Sequence, residues 1–186
     1  MENKRNRVCP VELAGSLDSK MRRWLQNPHT VLAPFIREGM TVLDIGCGPG
    51  FFSLEMAGMV GTSGRVIAAD LQQGMLDKLR AKIRGTALEQ RITLVPCRTD
   101  TINVSEKVDF ILAFYMVHEI PDKGSFFKQA KSILKPDGQF LLVEPKLFHV
   151  SRKDFEQTTA LAGNNGFKAY PGPKLLLSWS AVLRHS

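Results

Sequence analysis

The feature that most constrains the fold is an apolar run that ends in an acid and is followed by three alternating glycines, within residues 42–51. Gly46, Gly48 and Gly50 occupy every second position, and a helical pattern begins at Phe51. Glycine allows a ligand to approach the main chain closely, because a side chain at the turn would block it. The stretch therefore predicts a strand, a tight turn open to a ligand, and a helix.

The spacing of these glycines separates two classes of cofactor. Dinucleotide sites usually read G-x-G-x-x-G, whereas here Asp44 precedes Gly46 by two residues and the glycines simply alternate. A carboxylate directed into such a turn repels a pyrophosphate and attracts a cationic ligand. An NAD-dependent oxidoreductase is therefore disfavoured, and neither a Ser/Tyr–Lys pair nor a His–acid pair of the usual kind is evident.

Strands and helices alternate along the chain, as the hydrophobic periodicity indicates. The predicted strands are Thr41–Ile45, Arg65–Asp70, 91–96, Val108–Phe114, 139–144, 167–170 and 175–183. The predicted helices are 51–60, 73–84, 125–134 (stopped by a turn at 135–138) and 151–165, with Ser151 as N-cap and Gly166 as stop. Because the loop at 171–173 is too short for a crossover, the last two strands must be antiparallel. The pattern predicts an α/β, Rossmann-like three-layer sandwich with a seven-stranded, mostly parallel sheet and an antiparallel C-terminal strand.

The length of 186 residues fits one domain, 1–186, with a Rossmann-like core at 39–186. The preceding segment, 1–38, contains an irregular amphipathic series at 8–26. We expect this segment to form a helical lid or, equally, a helix packed against the sheet edge.

Composition excludes several classes of protein. The three cysteines are far apart and the four histidines are dispersed, so neither a disulfide framework nor a metal site is predicted. The polar N-terminus and the absence of a long apolar run predict a cytoplasmic protein with no membrane span. The net charge of +7 comes from scattered basic residues, which indicate solvated faces rather than nucleic-acid binding. Oligomeric state is left open, with a homodimer as one option.

The motif around Asp44 resembles the first motif of class I S-adenosylmethionine-dependent methyltransferases. The turn and strand at 134–140 resemble the equivalent segment of that family, so the resemblance covers about residues 40 to 145. The loop at 114–122 lacks the Asn/Asp-Pro-Pro-Tyr/Phe motif of amino-methyltransferases. It resembles small-molecule methyltransferases, including the ubiquinone/menaquinone-biosynthesis group. The resemblance implies a methyl group transferred from S-adenosylmethionine to a small-molecule acceptor, with S-adenosylhomocysteine as product.

The cofactor residues follow from the motif and from the strand that comes after it. Asp70 ends the second strand, where an acid can accept hydrogen bonds from both ribose hydroxyls. Arg98 stands where the family often carries an acid that accepts from the adenine amino group, so the alternatives for that contact are Asp100, two residues later, and a backbone amide. The predicted cofactor-binding residues are Asp44, Gly46, Cys47, Gly48, Gly50, Asp70, Leu71, Met75, Asp100 and Phe114.

Methyl transfer is an in-line displacement, in which the protein aligns the reactants and excludes water. His118 is the candidate catalytic base, since its ordinary pKa lies near neutrality; it could instead shape the loop or contact the cofactor. Glu119 could orient His118 or serve in its place. Cys97 follows Pro96, as in cytosine-C5 methyltransferases, but after the third strand, so we predict a packed side chain. A non-catalytic S-adenosylmethionine-binding module and an RNA or protein methyltransferase remain as alternatives.

Overall fold

In a computed structural model, which describes residues 26–146 and 150–186, the strands form one seven-stranded sheet with the order β3-β2-β1-β4-β5-β7-β6. The strands are β1 Thr41–Ile45, β2 Arg65–Asp70, β3 Ile92–Pro96, β4 Val108–Phe114, β5 Leu134–Pro145, β6 Phe167–Pro171 and β7 Ser178–His185. The helices are α1 Pro28–Leu32, α2 Ser53–Met59, α3 Gln73–Ile83, α4 Lys123–Ile133 and α5 Arg152–Asn164, with a 3₁₀ turn at Val117–Glu119.

The strand order reverses at β1: β2 and β3 are added on one side of this strand, and β4 and the later strands on the other. This strand pairs in parallel with β2 on one side and with β4 on the other, and Ile45 faces both Ala69 and Ala113. In open α/β sheets such a switch point leaves a crevice beyond the carboxyl ends of the strands. The glycine turn that follows β1 therefore lies at the place where the fold offers a ligand site.

Both faces of the sheet are buried, as the predicted three-layer sandwich requires. Val42 belongs to one hydrophobic cluster and Leu43 to the other, because successive strand residues point to opposite faces. Leu76 and Leu79 of α3 cover the first face, whereas residues of α4 cover the second. A parallel sheet is stable only when helices shield both of its faces.

The C-terminal strands confirm the predicted antiparallel pairing, since β7 is antiparallel to both β5 and β6. The final strand begins at Ser178 instead of 175. Leu177 adopts φ +58°, a conformation that interrupts extended backbone, and Leu176 is exposed. Ser151 caps α5 as predicted and forms a reciprocal capping box with Asp154.

The fifth strand differs from the prediction at its start. It begins at Leu134 and includes the residues predicted as the turn 135–138. Val108 pairs with Leu134 while Phe110 pairs with Gln139, so the register shifts there and a bulge accommodates the extra residues. Gly138 fits this bulge because a Cβ atom on it would lie 2.6 Å from Leu134 Cδ1.

The N-terminal segment is described from Gln26 onward. Asn27 caps α1 by accepting from the backbone N–H groups of His29 and Thr30. Residues 1–25, which carry most of the predicted amphipathic series, lie outside the described residues, so the lid stays a prediction, as does the division at residue 38. Within 26–146 and 150–186, no helix is long and apolar enough to cross a membrane.

Candidate active site

A cavity of about 660 Å³ opens at the carboxyl ends of β1, β2 and β4. Its lining has two parts: acidic and glycine residues from the turn after β1 and the end of β2, called the acidic end, and aromatic and apolar residues at 51–52 and 114–120, called the apolar end. At the acidic end the lining includes Asp44, Gly46, Cys47, Gly48 and Asp70. At the apolar end it includes Phe51, Phe52, Phe114, Tyr115, Met116 and Ile120.

The glycine turn is bound to the neighbouring strand. The backbone N–H groups of Gly46 and Cys47 both donate to the carbonyl oxygen of Ala69, at 2.8 and 3.1 Å. Gly46 adopts φ +71°, and a Cβ atom there would lie 3.0 Å from Met116 Cγ. A larger residue at position 46 would therefore be strained and would also collide with the loop after β4.

Asp44 is a buried carboxylate at the end of β1, with 3% of its surface exposed. Ser53, the first residue of α2, donates a hydrogen bond from its hydroxyl to Asp44 Oδ2 at 2.6 Å. This bond orients the carboxylate at the cavity wall, so a negative charge faces a site where a cationic group gains more than it would in water.

Asp70 is also buried, and it connects β2 to the glycine turn. Its Oδ2 accepts from the backbone N–H of Gly48 at 2.8 Å, and its Oδ1 accepts from that of Gln72 at 2.8 Å. Burial raises the pKa of Asp70 above its usual range, and the backbone hydrogen bonds oppose that rise. A carboxylate in this position has further lone pairs for the hydroxyl groups of a sugar.

The next part of the cavity lies between β2 and the loop after β3. Leu71 is exposed and Met75 is buried, and both line the cavity. Asp100 lines it as well, next to Arg98. The side chain of Gln129 in α4 fixes this loop, because its amide donates to the Asp100 carbonyl and accepts from the backbone N–H of Ile102.

Gly50 differs from the other two glycines. It does not line the cavity; a Cβ atom on it, at φ +91°, would lie 2.4 Å from Leu79 Cδ1. The structure thus gives Gly50 a packing role between the turn and α3. Sequence spacing alone assigns all three glycines to the ligand, because it cannot tell which face of the turn α3 covers.

Neither cysteine in the cavity wall is poised to react. Burial raises the pKa of Cys47 well above its usual value, and the charges of Asp44 and Asp70 add to the rise. Burial, followed by the charge of Asp70, raises the pKa of Cys97 to about 12. A thiol held protonated is a poor nucleophile, so the packed role predicted for Cys97 agrees with its surroundings.

Tyr115 directly follows the fourth strand and has an unusual backbone conformation, φ +61°. Its hydroxyl oxygen lies 2.6 Å from the side-chain nitrogen of Gln26, which donates to it, and 2.5 Å from Ser178 Oγ. For a bulky residue the left-handed region is costly, and it is found where the surroundings impose it. Sequence reasoning did not select Tyr115, because its partners come from segments far apart in the chain.

His118, the predicted base, does not line the cavity. Its Nδ1 lies 2.5 Å from Glu144 Oε2, and its backbone N–H donates to Glu144 Oε1 at 3.1 Å. Burial lowers the pKa of His118, but the hydrogen bond and the charge of Glu144 outweigh burial, and the net pKa is raised. The structure brings Glu119, from the same turn, to the cavity wall instead.

The residues at the acidic end fit S-adenosylmethionine. Two buried carboxylates, Asp44 and Asp70, suit a ligand that carries an ammonium group and sugar hydroxyls, and the bare backbone at Gly48, where a Cβ atom would meet nothing within 4 Å, leaves room for close approach. Among residues 26–146 and 150–186, no group of three or more His, Cys, Asp or Glu side chains could hold a metal ion.

The comparisons with known proteins agree with this geometry. The family model described as a methyltransferase domain matches residues 36–174, well over half of the chain. The chain therefore belongs to the methyltransferase domain family, and its motifs and fold are those of the class I S-adenosylmethionine-dependent methyltransferases, with a resemblance to the ubiquinone/menaquinone-biosynthesis group.

Two curated relatives illustrate the likeness. The demethylmenaquinone methyltransferase of Lactobacillus johnsonii is 32% identical over 112 residues, 59% of this chain and 45% of that protein. The ubiquinone/menaquinone biosynthesis C-methyltransferase of Shewanella frigidimarina is 27% identical over 117 residues, 62% of this chain and 47% of that protein. The chain thus matches about half the length of these relatives.

The fold is shared with a solved structure, a SAM-dependent methyltransferase from Aquifex aeolicus. The two superpose with a TM-score of 0.81 at 24% identity, over 94% of this chain and 99% of the other. The seven-stranded, mostly parallel sheet with helices on both faces is therefore the Rossmann-like methyltransferase architecture that the sequence predicts.

Proposed function

We propose that this methyltransferase transfers a methyl group by in-line displacement to a small, largely apolar acceptor with an aromatic ring. The observation that carries the proposal is that one cavity joins two unlike ends: buried carboxylates beside the glycine turn, and aromatic side chains beyond β4. Proteins hold a polar cosubstrate and an apolar acceptor together with this kind of lining.

At the acidic end we assign the α-amino group of the cosubstrate to the surroundings of Asp44 and the turn 46–48. Asp70 receives the ribose hydroxyls, and Leu71 and Met75 contact the adenine ring. Asp100 accepts from the adenine amino group in this proposal. Support comes from the positions of these residues around one cavity. S-adenosylmethionine supplies a methyl carbon activated by the adjacent sulfonium.

At the other end, Phe114, which the sequence assigns to the cofactor, forms an aromatic wall with its neighbours, and we assign this wall to the acceptor instead. The ring of Phe114 lies 4.5 Å from that of Phe52 and 4.4 Å from that of Tyr115, measured between centroids. Such a wall binds a planar ring and excludes water from the reacting atoms. The names of both curated relatives described above refer to menaquinone, so a reduced quinone ring is the acceptor class we favour.

Two measurements on the full chain test the proposal. Calorimetric titration with S-adenosylhomocysteine should show binding, and titration with NAD should not. Labelled S-adenosylmethionine should transfer its methyl group to one member of an acceptor panel containing naphthoquinols, benzoquinols, catechols, a bulk RNA and a mixed protein fraction. Methylation of only the RNA or the protein fraction would replace the small-molecule proposal.

A non-catalytic S-adenosylmethionine-binding module is the second candidate, because fold does not fix activity. Binding of S-adenosylhomocysteine without turnover on any acceptor in the panel would favour it. The cytoplasmic location expected from the sequence stays a prediction, and fractionation of cells that express the full chain would test it.

A further inference from the structure

Three ionisable side chains lie in a row behind and within the apolar end of the cavity. Glu144, at the end of β5, has 2% of its side chain exposed and contacts His118 Nδ1 at 2.5 Å. The other ring nitrogen, Nε2, lies 3.9 Å from Glu119 Oε1. The order is carboxylate, imidazole, carboxylate, and only the last of the three, Glu119, lines the cavity.

The buried carboxylate determines how the imidazole is held. Glu144 binds His118 through both the ring and the backbone N–H, so the ring cannot turn without breaking one of these contacts. A carboxylate bound to Nδ1 fixes the tautomer and favours the protonated ring. In the protonated ring Nε2 also carries an N–H group, so the ring presents this group and its positive charge toward Glu119.

The imidazole in turn affects Glu119. A carboxylate beside an apolar ring-binding surface tends to take up a proton, because desolvation disfavours its charged form. A cation about 4 Å away opposes that tendency. Other charges near this turn are Lys123 at the start of α4, whose charge acts on His118, and Asp122, which lines the same cavity.

We propose that Glu119 is the catalytic base that accepts the proton of the acceptor's hydroxyl group, and that His118, held by Glu144, is a positioning residue that keeps Glu119 ionised. This inference rests on the proposed function, since it needs an acceptor with a dissociable proton. It reassigns the role predicted for His118 to its neighbour in the sequence.

The step balances without an oxidant or a further reactant. As the hydroxyl proton passes to Glu119, the ring of the acceptor gains electron density and its carbon bonds to the methyl group. The carbon–sulfur bond breaks, and its electron pair stays on sulfur. The ring carbon then releases its hydrogen as a proton while the ring oxygen regains one, so a single proton passes to solvent.

Single-turnover transfer from labelled S-adenosylmethionine to a short-chain naphthoquinol, kept reduced, tests the proposal. E119Q should lower the rate at neutral pH by about 100-fold, the usual contribution of a positioned base. E119D, which keeps the carboxylate, should lose less. The affinity for S-adenosylhomocysteine should stay within about twofold of wild type in both variants, because Glu119 is not among the predicted cofactor contacts. E156Q, at an exposed position on α5, is the matched control and should behave as wild type.

The pH profile separates positioning from a structural effect. In H118A the acidic limb of the rate profile should move to higher pH, because Glu119 loses the cation that keeps it ionised, and raising the pH should restore the rate. E144Q should move the limb in the same direction. Loss of rate by the same factor at every pH in H118A would overturn the positioning role.

Different experimental results would contradict this inference and the proposed function. A wild-type rate in E119Q, with the wild type active on the naphthoquinol, would overturn the base and leave the proposed function intact. A wild type that binds S-adenosylhomocysteine but methylates no small molecule in the panel would overturn both. Circular dichroism of each variant establishes that it is folded before its rate is interpreted.

Discussion

The two ends of the cavity are built differently. At the acidic end, the turn 46–50 and Asp70 lie within one strand–turn–helix–strand unit, and backbone groups make most of the contacts: Gly46 and Cys47 to Ala69, and Gly48 to Asp70. At the apolar end, side chains far apart in the sequence meet, as when Tyr115 contacts Gln26 and Ser178. The first end depends on local geometry, and the second depends on how the whole sheet brings remote residues together.

The largest effect is expected at Gly50, because a substitution there tests most directly whether the three glycines of the turn have different roles. G50A should lower the free energy of unfolding by about 3 kcal/mol, because its Cβ would overlap Leu79 and its φ is left-handed. Denaturant unfolding measures the loss. S-adenosylhomocysteine affinity of the folded fraction should be unchanged, since Gly50 lies outside the cavity lining.

Gly58 offers the matched control on α2, where a Cβ would meet nothing within 4 Å. G58A should raise the free energy of unfolding by about 0.5 to 1 kcal/mol, the difference in helix propensity between the two residues. If G50A were as stable as wild type but bound S-adenosylhomocysteine poorly, Gly50 would belong with Gly46 and Gly48 at the ligand end.

The second largest effect concerns Asp70. D70N should weaken S-adenosylhomocysteine binding by about 2 kcal/mol, roughly 30-fold, through loss of charge-assisted hydrogen bonds to the ribose. In the wild type the affinity should decline as the pH falls through the raised pKa of Asp70, at higher pH than for an ordinary aspartate. Calorimetry at several pH values tests both points, with D77N, at an exposed position on α3, as control.

A smaller effect is expected at Tyr115, and the chain supplies its own control because it has only two tyrosines. Y115F should lower the free energy of unfolding by about 1 kcal/mol, since Ser178 and Gln26 lose a hydrogen-bond partner. Y170F, at an exposed position on β6, should leave it unchanged. Equal stability of the two variants would show that the apolar end does not depend on this contact.

The smallest effect is a pH dependence of stability at His118. Its pKa is raised in the folded state, so its contribution is fully present below the unfolded value near 6.5 and is lost as the pH rises through the folded pKa. The free energy of unfolding of the wild type, relative to H118Q, should therefore decline above about pH 6.5. The same decline in E144Q would contradict an origin in the Glu144 contact.

Much of the fold follows from local sequence. The alternation of apolar runs and helical patterns places the starts of five of the seven strands within one residue of the observed starts. The exceptions have tertiary causes: the bulge opposite Val108 draws 135–138 into β5, and Leu177 delays β7. A short stretch of sequence does not determine its register with a neighbouring strand. Neither the bulge in β5 nor the late start of β7 can therefore be predicted from local sequence.

The residues of the site likewise fall into those that local sequence predicts and those that depend on tertiary structure. The sequence selects the residues of the acidic end because Asp44, the glycines and Asp70 have fixed spacing on consecutive elements. It selects His118 as the candidate base, with Glu119 as the alternative, but the 3₁₀ turn directs Glu119 to the cavity and His118 toward Glu144. A rotation about a turn of three residues determines which of two adjacent side chains faces a ligand, and periodicity does not resolve it.

By itself, the sequence determined the class of this protein: a doubly wound sheet with a glycine turn and two acids that suit S-adenosylmethionine. These properties come from backbone conformation and from spacing along a single unit, which short stretches of sequence encode. Only the tertiary structure decided that Gly50 packs against Leu79, that Tyr115 meets Ser178, and that Glu144 holds His118. These contacts join residues from separate elements, and they exist only once the sheet has set the distances between them.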